Sequence, residues 1–71
     1  MKEVMNAVWP IELVRTDKHN VLTYHLLTRV FGSYRRAHLE AIRYASMYPD
    51  NTIVLSVRDN EPIGYYNHKH S

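Results

Sequence analysis

The clearest hydrophobic pattern in the chain is helical and lies in Ser33–Tyr48, SYRRAHLEAIRYASMY. At about 100° per residue, small and aromatic residues share one broad side of this helix. They are Tyr34, Ala37, Ala41, Ile42, Tyr44, Ala45 and Tyr48. We predict a helix that is capped by Ser33, ends before Pro49 and turns its alanine side inward.

The residues before the helix have the composition of strands. Ile11–Thr16 follows a proline and is rich in β-formers. Val21–Phe31 is rich in Val, Thr, Tyr and Phe, which favours a strand, and the alternative is a helix capped by Asn20. The polar run Thr16–Asn20 predicts a turn between the two strands. Regular alternation would place every second side chain of this strand on one side of the sheet: Leu22, Tyr24, Leu26, Thr28 and Val30.

Two further strands are predicted after the helix. In Thr52–Arg58, apolar residues alternate with polar ones, and Ile63–Asn67 follows a turn and would pair with it. The predicted fold class is α+β, with a small antiparallel sheet of three to four strands in β-β-α-β-β order and one amphipathic helix packed across it. We expect the second side of this sheet to be partly open.

Length and composition indicate one small domain spanning residues 1–71, with residues 1–8 and 68–71 flexible. A chain of this size buries only about 60% of its unfolded surface, so a partner would add stability. The chain has no cysteine, which fits a reducing compartment. No apolar run is long enough for a signal peptide or a membrane span, so we expect a cytoplasmic protein with no membrane contact.

Motifs for catalysis or metal binding are absent from the sequence. The five histidines do not have the spacing of zinc ligands, and no serine lies in a G-x-S-x-G elbow. We therefore predict a protein that is not an enzyme and has no metal or cofactor. His38 lies within the apolar arc of the helix, and we interpret it as a hydrogen-bonded histidine at the edge of the core.

Binding is the function that the sequence favours. The outer side of the helix combines arginines with apolar residues, a mixture that is typical of protein interfaces. The predicted contact residues for a larger protein partner are Arg35, Arg36, Leu39, Arg43 and Met47. Self-association into a homo-oligomer is a further hypothesis.

The alternative function is weak nucleic-acid binding through basic and aromatic side chains. The residues predicted for it are Tyr24, Arg29, Tyr65, Tyr66 and Lys69. The formal net charge of +2 is too small to indicate a nucleic-acid partner by itself.

The order of elements also carries a family resemblance. A hairpin over Ile11–Phe31, an alanine-rich helix ending at Tyr48-Pro49 and the strand Thr52–Arg58 resemble the small early proteins of tailed phages that take over host machinery. One type of these proteins inhibits the host RNA polymerase, so the resemblance implies an inhibitor or adaptor acting on a larger host protein. Their helix is typically acidic whereas this helix is basic, and the resemblance transfers no functional residue.

Overall fold

The computed structural model describes residues 7–58 and 61–67. They form five elements: β1 (Ala7–Thr16), β2 (Leu22–Gly32), α1 (Tyr34–Met47), β3 (Thr52–Val57) and β4 (Glu61–Tyr66). The strands form one antiparallel sheet in the order β2-β1-β3-β4, and α1 packs across one side of it. The predicted α+β fold and its β-β-α-β-β order are confirmed.

The first two strands form a long hairpin, and Val21–Phe31 is a strand as predicted, with bounds shifted by one residue. β1 begins four residues before the predicted Ile11. Ala7 and Val8 pair with the end of β2, although the pattern had assigned them to a flexible terminus. Residues 1–6 and 68–71, the rest of that prediction, lie outside the described residues. Within the predicted turn, the Asp17 carboxylate accepts hydrogen bonds from two backbone N–H groups.

A β-bulge in β2 changes which side chains share a side of the sheet. Ile11 pairs with Thr28 and Glu12 pairs with Leu26, so Leu27 is the extra residue. Beyond a bulge, the alternation of side chains reverses relative to a regular strand. The predicted grouping was therefore wrong, because Val30 is buried under the helix while Leu26 is exposed on the other side.

The helix follows its sequence signals. The Ser33 hydroxyl accepts a hydrogen bond from the Arg36 backbone N–H at 3.2 Å, and α1 ends with Tyr48 as its C-cap. Its buried residues are Ala37, Ala41 and Ala45, so the alanine side faces the sheet as predicted. The buried stripe is narrower than predicted, because Tyr34 and Ile42 remain more than two-fifths exposed.

A row of rings crosses the boundary between the helix and the sheet. The Trp9 indole N–H donates to the Gly32 carbonyl at 2.7 Å, and its ring meets Tyr34 edge-on with centroids 5.7 Å apart. His38 contacts Tyr34 on one side and Tyr66 on the other. A 2.6 Å hydrogen bond joins His38 Nδ1 and the Tyr66 hydroxyl, which confirms the interpretation of His38 as a hydrogen-bonded residue at the core edge.

Candidate functional site

The side of the sheet opposite α1 has no described element over it. We call this side the uncovered face. Strand pairing and alternation assign to it Val8, Pro10, Glu12 and Val14 of β1, Leu22, Tyr24, Leu26, Arg29 and Phe31 of β2, Thr52, Val54 and Ser56 of β3, and Pro62 and Tyr65 of β4.

Large apolar side chains are concentrated at the two edges of the uncovered face. The five that are between 45% and 67% exposed are Leu22, Tyr24, Leu26, Phe31 and Tyr65. Single exposed apolar residues are common on soluble proteins, whereas large exposed apolar patches are rare on monomeric ones.

One cross-strand row shows that the uncovered face is continuous. Leu26, Glu12, Val54 and Tyr65 are consecutive partners across β2, β1, β3 and β4. Val54 is only 2% exposed, so the centre of the face is already shielded by its neighbours while the edges stand in solvent. The charged residues assigned to the face are Glu12 and Arg29, and their formal charges cancel.

A depression of about 290 Å³ lies in the middle of this face. It is lined by Glu12, Tyr24, Val54, Ser56, Pro62 and Tyr65. A depression of this size is below the usual range for a drug-sized ligand, and it fits a single side chain.

The helix residues predicted to contact a partner are all exposed: Arg35, Arg36, Leu39, Arg43 and Met47. We call these residues the helix patch. The structure brings them together on the outer side of α1, where Arg43 lies between Leu39 and Met47 and its guanidinium contacts the Met47 sulfur at 3.7 Å.

Arg43 is the most organised member of the helix patch. Its guanidinium donates to the Glu40 carboxylate at 2.8 Å and lies 5.1 Å from the centre of the Tyr44 ring. The hydrogen bond to Glu40 and the charge of Glu40 raise the pKa of Arg43. Both partners are well exposed, so this ion pair adds little stability, and it leaves less of the Arg43 charge for a partner.

A groove separates α1 from β2, one of the two edge strands of the sheet. It has a volume of about 310 Å³ and is lined by residues 28–31 of β2 and by Arg36, Glu40, Arg43 and Tyr44 of α1. An exposed edge strand can pair with an extended segment of another chain. The groove therefore links the helix patch to the β2 edge.

The residues predicted for nucleic-acid binding do not form one set. Tyr24, Arg29 and Tyr65 share the uncovered face, whereas Tyr66 points to the helix side and bonds His38. Burial raises the pKa of the Tyr66 phenol above its ordinary value, and the neighbouring Tyr34 adds to the increase. Lys69 lies outside the described residues.

Sequence reasoning missed most of the uncovered face. Leu22, Leu26 and Phe31 were recognised as apolar but not as one exposed group, and Glu12 and Ser56 were not singled out. The available signal was the apolar content of both sides of β2, which exceeds what a strand with one buried side needs.

Among residues 7–58 and 61–67, no group of three or more His, Cys, Asp or Glu side chains could hold a metal ion. No helix in the same ranges is long and apolar enough to cross a membrane. In comparisons with known proteins, no family model, no curated protein and no solved structure matches this chain.

Proposed function

We propose that this chain is a small protein-binding module, acting by binding rather than catalysis, that docks on a larger protein through the uncovered face. The observation that carries the proposal is the cluster of five large, exposed apolar side chains on a side of the sheet that no described element covers. Fully burying such a side chain contributes roughly 1.5–3 kcal/mol, and an interface would bury the 45–67% of each of the five that is still exposed. A domain this small gains stability from the same contact.

A protein partner fits the uncovered face better than a nucleic acid does. Phosphate binding needs an excess of positive charge, and the charges of Glu12 and Arg29 cancel. Tyrosine and phenylalanine with few charged groups are typical of the centre of a protein interface.

The proposal is tested by capturing the partner from an extract of the native cell and then repeating the measurement with the purified partner. Leu26→Ser combined with Phe31→Ser removes two exposed anchors of the uncovered face. Arg36→Glu combined with Arg43→Glu reverses the charge of the helix patch and is the matched control. We expect the first variant to weaken binding by at least about 100-fold, which corresponds to about 2.7 kcal/mol.

The competing hypothesis is that the partner binds the helix patch. Loss of binding in the charge-reversed variant, with full binding in the serine variant, would move the interface to α1. Circular dichroism of each variant checks that the fold is intact.

Weak nucleic-acid binding is the second candidate, because Tyr24, Arg29 and Tyr65 share one face, as a stacking platform requires. A titration of single-stranded DNA at low and high salt tests it, since phosphate contacts make affinity fall steeply with salt. A role as a phage-type inhibitor or adaptor and a cytoplasmic location stay predictions of the sequence.

A further inference from the structure

Two polar groups in the depression on the uncovered face have no partner among the described residues. The Ser56 side chain is 1% exposed, and its hydroxyl makes no hydrogen bond within the described part of the chain. The half-buried Glu12 carboxylate has no cationic side chain within ion-pair distance among the same residues. Burying polar groups without partners is costly, so this arrangement calls for a ligand that supplies hydrogen-bond donors.

The residues that line the depression indicate which chemical class of ligand it would bind. Tyr24 from β2 and Tyr65 from β4 contribute aromatic rings on opposite edges of the sheet, and both side chains are more than half exposed. Tyrosine rings attract cations over their faces. A carboxylate, a hydroxyl and two such rings together suit a positively charged group.

Arginine fits this site better than lysine does. A guanidinium is planar, stacks on aromatic rings, is more weakly hydrated than an ammonium and carries several N–H donors. Its several N–H donors suit the Glu12 carboxylate and the Ser56 hydroxyl, which line the depression together with Val54.

We propose that the depression lined by Glu12, Ser56, Tyr24 and Tyr65 is a pocket for an arginine side chain of the protein partner. This inference rests on the proposed function of the uncovered face as a protein-binding surface. The pocket would then position the partner, while the surrounding apolar residues supply most of the contact area.

The test uses a blocked tripeptide with arginine between two valines and an otherwise identical tripeptide with citrulline. Citrulline keeps the shape of arginine but has no charge. In two-dimensional NMR titrations of the full chain, we expect the arginine peptide to shift the signals of Glu12, Val54 and Tyr65. We expect the citrulline peptide to bind at least about tenfold more weakly, because its neutral ureido group has no positive charge to pair with the Glu12 carboxylate.

Two glutamate variants make the test specific. Glu12→Gln keeps the size of the side chain and should weaken the arginine peptide at least about tenfold. Glu40→Gln makes the same change on α1, where Glu40 bonds Arg43, and should leave the peptide affinity unchanged. Equal affinity for both peptides, or no effect of Glu12→Gln, would show that the arginine assignment is wrong.

Measuring how each variant binds the purified partner distinguishes a failure of this inference from a failure of the proposed function. If the serine variant of Leu26 and Phe31 loses the purified partner while Glu12→Gln retains it, the arginine pocket is refuted and the binding face stands. If neither variant affects binding, the proposed function fails as well.

A second copy of the chain is the remaining occupant, because Arg29 lies on the same face and could enter the Glu12 site of its neighbour. Sedimentation velocity over a range of concentrations addresses this. If the chain forms a dimer, and both Glu12→Gln and Arg29→Gln dissociate it, the pocket binds a second copy of the chain and not a different protein. A chain that is monomeric at all concentrations supports the assignment of the pocket to a different protein.

Discussion

Replacing Ala41 with leucine would test how closely α1 approaches the sheet. Ala41 is fully buried at the centre of the alanine stripe, between Ala37 and Ala45. Leucine at this position would place an isobutyl group where the structure has room for a methyl group. Such overpacking costs about 1–3 kcal/mol, and we expect the upper half of that range because the rigid sheet lies directly opposite.

This cost is a large part of the stability of the domain. Roughly 0.05–0.15 kcal/mol per residue gives about 4–11 kcal/mol for a chain of 71 residues. Ala41→Leu should therefore lower the urea midpoint clearly while the chain still folds. The single tryptophan, Trp9, is in the core and reports unfolding by its fluorescence.

Ser46→Leu is the matched control, since it adds a leucine to the exposed side of the same helix. We expect it to change the free energy of unfolding by no more than about 0.5 kcal/mol. If Ala41→Leu has an equally small effect, α1 does not lie on the sheet through its alanines, and the account of the core is wrong.

Three other substitutions test particular contacts. Trp9→Phe removes the hydrogen bond to the Gly32 carbonyl and should lower the free energy of unfolding by about 1–3 kcal/mol. Urea unfolding followed by circular dichroism measures this, and an unchanged free energy of unfolding would show that the hydrogen bond does not stabilise the fold. Gly32→Ala should cost about 1–3 kcal/mol in the same assay, because the backbone φ of 130° strains any residue with a Cβ, and a neutral result would contradict the conformation. The raised pKa of Tyr66 means that the unfolded chain releases this proton first, so its contribution is present below about pH 10 and is lost as the pH rises further. Tyr66→Phe should therefore flatten the fall of the free energy of unfolding above pH 10, measured by urea unfolding, by less than about 1.4 kcal/mol per pH unit, since the group is partly exposed; an unchanged slope would refute the raised pKa.

Local signals in the sequence predicted the elements well. Ser33 and Pro49 bracket α1 because a hydroxyl can cap the first turn and the residue before a proline avoids helical backbone angles. β2 was correctly preferred as a strand, since its β-branched and aromatic residues suit a pleated surface.

The bulge at Leu27 is the reason why the candidate site was harder to predict. Regular alternation separates Leu26 from Phe31, whereas the inserted residue brings them to the same side of the sheet. Nothing in the local composition marks this bulge, because it depends on how β2 pairs with β1. The uncovered face is therefore a property of strand pairing that a single strand does not reveal.

The predicted inner side of the helix was too broad for a related reason. Helical spacing places Tyr34 and Ile42 near the alanines, but small side chains let α1 approach the sheet along a narrow line. Residues at the margins of that line remain partly exposed. Helical periodicity predicts the direction of the buried side but not its width.

The measurement that tests the central claim most directly is hydroxyl-radical footprinting of the chain, free and bound to its purified partner. Aromatic and sulfur-containing side chains on both candidate surfaces react with the radical. We predict that partner binding protects Tyr24, Phe31 and Tyr65, while Met47 on the helix patch is labelled as in the free protein. Protection of Met47 with unchanged labelling of the three aromatic residues would contradict the assignment of the uncovered face as the binding surface.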